Sequence, residues 1–191
     1  MTEQSAYSFY ESHFAKVIFA VISATFYFFA FQLNASLFDS LTFSHGVNWI
    51  FIPSGLRLLF VLVLVASGSA GIFMATCALS LTNGSSELNL FNIVTALISG
   101  FAPLIARQVC VDYLNIGKNL SNLTSKSLLQ ISIVFALISS VLHQVWFFWN
   151  GVTSDFTASL LVMATGDWFG TALVLAIASL LVSAFRAFNS Y

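Results

Sequence analysis

Ionisable side chains are scarce here: 7% of the residues are charged and 59% are hydrophobic, which leaves too little polar surface to cover a water-soluble globule. The net charge of −1 offers no basic face, and this excludes nucleic acid as a partner. There are only two cysteines, Cys77 and Cys110. They fall in different apolar segments without CxxC spacing, so they indicate packed thiols and neither a disulfide framework nor a zinc site. No two histidines share a metal-binding helical spacing, and no cofactor is indicated. HExxH, Walker and nucleophile-elbow motifs are missing. So are tandem repeats, low-complexity tails and any second soluble domain. Residues 1–15 carry Glu3 and Glu11 but no basic n-region or small-residue cleavage site, and are expected to stay as a cytoplasmic N-terminal segment.

What fills the chain is apolar runs. At roughly 20 residues per crossing, spans are expected at Lys16–Leu33, Ile50–Ser67, Ser69–Leu81, Leu90–Gln108, Ser127–Phe148 and Thr157–Phe185. Read as one helix, Ile50–Leu81 would be about 48 Å long, more than the roughly 30 Å hydrocarbon core allows. The run Ser67-Gly68-Ser69-Ala70-Gly71 is the expected turn. Six crossings put Lys16, Arg107, Lys118, Lys126 and Arg186 on the cytoplasmic side and Asp39, Glu87 and Asp155 outside, whereas five would strand three basic residues outside. The expected architecture is therefore all-α: a single membrane domain over residues 1–191, six transmembrane helices, both termini cytoplasmic, in a bacterial inner membrane.

Between the spans, residues 34–49 form the expected outer loop, with Leu37, Phe38, Leu41 and Phe43 as apolar anchors; it has the make-up of a lid or of a plain interfacial connector. Residues 109–126, asparagine-rich from Asp112 onward, form the expected cytoplasmic loop. Sequons at Asn34, Asn83, Asn119 and Asn122 are chance matches.

Two charges, Arg57 and Asp167, lie inside spans. An ionisable group at membrane depth is costly, and it marks a functional site unless it serves only as a structural pair. Arg57 follows Pro53 by one turn, and Asp167 lies roughly 15 Å into its helix from the same side. A pair between them is within reach, either fixing helix register or clamping a ligand, and no pairing at all is the third alternative. All four tryptophans, Trp49, Trp146, Trp149 and Trp168, fall toward the outer side with His45, His143, Asn48 and Asn150. His143 and Trp146 share a helix face. The candidate ligand-binding set is Arg57, Asp167, Trp49, His143, Trp146 and Trp168, with Trp149 assigned to an outer girdle. Gly166-Asp167-Trp168-Phe169-Gly170 is a GxxxG pattern that lets helix backbones approach. Pro103 should kink the fourth helix and free a backbone carbonyl.

Enzyme motifs fit poorly. Neither serine of Ser67-Gly68-Ser69 has the Gly-x-Ser-Gly context of intramembrane serine proteases. Ala164-Thr165-Gly166-Asp167 is similar to the Gly-x-Gly-Asp motif of intramembrane aspartyl proteases, but Ala164 replaces the first glycine and no second aspartate shares the site. A non-enzymatic protein is expected.

Trp49-Ile50-Phe51-Ile52-Pro53-Ser54-Gly55, followed late in the chain by Gly166-Asp167-Trp168-Phe169-Gly170, resembles the first-type membrane-associated sensor domains of bacterial signalling proteins. The six-helix layout is similar to the substrate-binding S subunits of energy-coupling-factor transporters. The resemblance implies an integral-membrane sensing or ligand-binding module, with Trp49, Pro53, Gly55, Gly166, Asp167 and Gly170 at motif positions. The departures are a three-residue gap between Trp49 and Pro53 where the pattern has one, the added Arg57, and a chain ending at Tyr191 where sensor domains carry an output domain. A membrane protein partner supplying output or energy is therefore expected beside the lipid bilayer and a small-molecule ligand. The competing reading is an accessory or assembly subunit of a larger membrane complex.

Overall fold

The structure, a computed structural model, describes residues 12–82, 87–113 and 124–188. Its helices are α1 (His13–Phe38), α2 (Pro53–Leu64), α3 (Ala66–Thr82), α4 (Leu90–Tyr113), α5 (Ser125–Trp149) and α6 (Phe156–Phe188), with a short antiparallel ribbon of β1 (Thr42–Ser44) and β2 (Val47–Asn48). Four of them, α1, α4, α5 and α6, are long and apolar enough to cross a membrane; α2 and α3 are shorter apolar helices of 12 and 17 residues.

The helix starts follow from local chemistry. Ser12, Asn89, Thr124 and Asp155 each accept, through a side-chain oxygen, an otherwise orphaned amide in the first turn of the helix that follows. Pro53 occupies the first turn of α2, where its missing N–H costs nothing.

Three expectations are corrected. Residues 34–38 of the outer loop are still helical, so the connection reduces to a 3₁₀ turn at Asp39–Leu41, the ribbon, and an extended stretch to Ile52. The second span accordingly starts at Pro53 instead of Ile50. The α2–α3 turn falls at Val65 and not in the glycine run: Val65 has φ 49° and ψ −114°, the corner of a type II′ turn that glycine ordinarily occupies. Gly68 and Gly71 instead lie inside α3, where they allow close approach to the Phe60 carbonyl of α2 and the Ala20 carbonyl of α1. Of the sequons, Asn34 is buried and the other three lie outside the described residues.

The third correction concerns the GxxxG face of α6, which receives an extended chain and not a helix. A Cβ on Gly166 would collide with the Asn48 carbonyl, and one on Gly170 with the Phe51 carbonyl. The stretch from Asn48 to Ile52 thus runs down the face of α6. Non-helical backbone is tolerated at membrane depth only when buried in protein with its polar groups satisfied. Here Phe51 N donates to Gly166 O at 3.3 Å, Asn34 Oδ1 accepts from Ile52 N at 3.0 Å, and Asn34 Nδ2 donates to Ile50 O at 3.4 Å. Ser54 Oγ lies 2.7 Å from both Phe51 O and Asp167 O, tying the start of α2 to α6. Replacing Gly170 with alanine should therefore lower stability by about 1–3 kcal/mol, the cost of overpacking. The loss is read as an earlier thermal unfolding transition in detergent, larger than that of Ala172→Gly on the same helix.

Candidate functional site

The extended entry lets α2 begin inside the bundle, which brings Arg57 to a position 1% exposed. Pro103 prepares its first partner. A proline inside a helix cannot donate to the carbonyl four residues back, and that carbonyl belongs to Ser99. Arg57 Nε donates to Ser99 O at 3.0 Å. The freed carbonyl expected from Pro103 is thus present and occupied by the guanidinium, while α4 continues unbroken to Tyr113.

Asp167, also 1% exposed, faces Arg57 with Oδ2 4.0 Å from Nη1. The two charges face each other, but the pair is loose. The buried Ser139 hydroxyl faces the Asp167 carboxylate without closing a well-formed hydrogen bond on it, and both Asp167 oxygens and Arg57 Nη2 are otherwise unpartnered. Two unit charges 4 Å apart attract by about 4 kcal/mol at an effective dielectric near 20. Burying each ion costs several kcal/mol, so the pair alone does not stabilise the fold. The Phe135 ring, with its centroid 5.2 Å from Arg57 Cζ, contributes a cation–π contact.

A cavity of about 250 Å³ opens above this pair, toward the end of the bundle that carries the ribbon. Arg57, Ser99 and His143 line its floor, and Tyr27, Phe31, Phe51, Phe91 and Phe147 form the walls. The ribbon's tip, His45-Gly46, lines the mouth. The His45 ring packs 6.4 Å from Phe91 and 6.3 Å from Phe147. Gly46 has φ 69°, and a side chain there would press on the Phe147 ring. Val47, fully buried against Val162 and Met163, anchors the ribbon. His143 Nδ1 lies 2.8 Å from Ser139 O, which can only accept, so in the neutral ring Nε2 is free to accept from Ser99 Oγ at 3.2 Å. Below the floor, Leu58, Leu62, Ala106, Ile131 and Leu175 close into an apolar core.

Of the six sequence candidates, Arg57 and His143 line the cavity. Asp167 stands behind Arg57, outside the lining. Trp146 forms a second layer, stacked 6.0 Å from Phe91 and donating to Phe91 O at 3.4 Å. Trp49 is 46% exposed against Phe43, and Trp168 packs half-buried on its neighbour Phe169; neither lines this cavity. Trp149, 83% exposed, sits as a girdle residue would. The aromatic wall and Tyr27 carried no signal that set them apart among 21 phenylalanines and five tyrosines. Ser99 was within reach, since it lies four residues before Pro103. Among the described residues no group of three or more His, Cys, Asp or Glu side chains converges to hold a metal ion.

The chain matches no protein-family model, and neither the curated proteins nor the solved structures yield a match. The fold is thus an all-helical bundle with four helices of membrane-spanning length, and the site is an arginine-floored, aromatic-walled cavity within it.

Removing one partner of the buried pair strands the other charge, so Asp167→Ala should cost about 3–5 kcal/mol. The double variant Arg57→Leu/Asp167→Leu should lose less than Asp167→Ala alone. Thermal unfolding of the single and double variants in detergent measures the coupling.

Proposed function

We propose that this protein is a non-enzymatic inner-membrane module that binds a small molecule in the Arg57 cavity and serves as a sensor or transport subunit. It crosses the bilayer six times with both termini in the cytoplasm and relies on a membrane partner for output or energy. The observation that carries this reading is a guanidinium 1% exposed, lining a cavity, with Nη2 unpartnered. A protein would not keep so costly a group half-satisfied for packing alone, because apolar residues of similar volume usually do as well or better. Aromatic walls around a few convergent polar groups are the usual make-up of small-molecule sites. The closed floor fits binding better than conduction.

Orientation is supported by charge. Asp39, Glu87 and Asp155 lie in connections at the ribbon end, and Lys16, Arg107 and Lys126 lie toward the opposite helix ends. The two stretches that carry the likeness to membrane-associated sensor domains pack together, Gly55 against Val174 and the Gly170 carbonyl.

Two measurements test the reading. Mass spectrometry of protein purified in mild detergent should find a recurring small molecule with wild type and none with a folded Arg57→Gln variant. A cysteine placed at Thr42 should react with an impermeant maleimide added to intact spheroplasts, and one placed at Lys126 only after permeabilisation. The reverse pattern would overturn the topology.

A second reading, an accessory subunit, is favoured by a groove of about 210 Å³ between α5 and α6 whose lining includes Ser132, Ala172, Ala176 and Ser179, small residues of the kind that let a further helix approach. It would require another membrane chain to co-purify in fixed stoichiometry.

A further inference from the structure

Polar groups line the cavity unevenly. Thr76, Ser80 and Thr95 have spent their hydroxyl protons on Ile72 O, Thr76 O and Phe91 O and keep only neutral acceptor oxygens, while Tyr27 and His45 bring a phenol and an imidazole. Ser99 is engaged with His143, whose other ring nitrogen meets Ser139 O. Arg57 spends Nε on Ser99 O and turns Nη1 toward Asp167, which leaves Nη2 as its unpartnered nitrogen. The charged donor of the cavity is thus the guanidinium, and an acceptor on the occupant makes the stronger, charge-assisted bond there.

Charge narrows the class further. Among the described residues no aspartate or glutamate lines the cavity, and the Arg57 cation there is neutralised by Asp167. A ligand cation would meet the guanidinium head-on. A ligand anion would lose its hydration and lie one guanidinium width from the Asp167 carboxylate, making a triad with excess negative charge in a dry site. An uncharged acceptor on the guanidinium leaves the pair balanced. Size and shape complete the description: a cavity near 150 Å³ holds benzene, so about 250 Å³ holds one or two rings. The surrounding rings offer flat contact from several sides, with Phe31 and Phe51 5.8 Å apart edge to face and Phe91 and Phe147 5.6 Å apart.

We infer that the cavity takes an uncharged, flat molecule of one or two rings, with a carbonyl-type oxygen on the Arg57 guanidinium and its rings against Phe91, Phe147, Phe31 and Phe51. This rests on the binding role proposed above and names its ligand class. Asp167 is then a selectivity residue acting through Arg57: it holds the floor neutral and turns carboxylates away.

The test compares naphthamide with naphthoate, which share shape and differ in charge, by equilibrium dialysis against the full chain in lipid nanodiscs, with empty nanodiscs subtracted. Wild type should hold naphthamide roughly tenfold or more tightly than naphthoate. Asp167→Asn should reverse the order, because the floor becomes cationic, and Arg57→Gln should abolish retention of both. A purely structural Asp167 would weaken both probes alike, which overturns its selectivity role. Wild type preferring naphthoate overturns the ligand class while leaving the binding role standing. Retention of neither probe by wild type overturns both. If Asp167→Asn does not fold, the wild-type comparison alone decides the ligand class.

Discussion

A guanidinium cannot give up its charge, so once Arg57 is placed inside the bundle the surrounding chain must supply acceptors and a counter-charge at membrane depth. Much of the architecture answers that demand. Pro103 withholds one amide from α4 and so exposes the Ser99 carbonyl to Arg57 Nε. The glycines on either side of Asp167 let the Asn48–Ile52 backbone lie on α6, so that α2 starts deep enough to bring the two charges within 4.0 Å. Phe135 covers the guanidinium from the α5 side. These contacts bring α2, α4, α5 and α6 to one residue, although every piece is distant in sequence from the others.

The same demand explains the irregular entry to α2. A continuous helix from the ribbon would have satisfied its own backbone, but the extended path cannot. Asn34 and Ser54 take over as local substitutes: Asn34 bonds Ile50 O and Ile52 N, and the Ser54 hydroxyl lies between Phe51 O and the Asp167 carbonyl of α6. Asn34 is buried near the end of α1, where a lone amide would otherwise be a liability. Its two contacts lock α1 to the descending segment and hold Phe31 edge-on to Phe51 in the cavity wall.

Helix existence was legible because apolar run length and capping chemistry are local. So were the paired charges, since rarity alone singles out Arg57 and Asp167, and so was the carbonyl freed by Pro103. The partner of the Gly166–Gly170 face was not legible: small residues announce close approach but not whether a helix or an extended strand fills the space. The Val65 turn was hidden for a related reason. Glycines at 68 and 71 looked like a bend, whereas packing against α1 and α2 uses them inside α3 and leaves a β-branched residue at the corner. The cavity wall was illegible because inward and lipid-facing phenylalanines have the same composition and differ only in tertiary placement. Phe29 is 66% exposed, while Phe31, on the same helix, lines the site.

The apolar core beneath Arg57 makes the chamber a cul-de-sac. An occupant finds no route onward past Arg57, because Leu58, Leu62, Ile131 and Leu175 stopper it. Delivery to the far face would require α2 to be prised away from α5 and α6, uncorking several tightly fitted aliphatic side chains together. Under the proposed binding role, traffic through the chamber would then demand an external lever, whereas detection of an occupant would demand none.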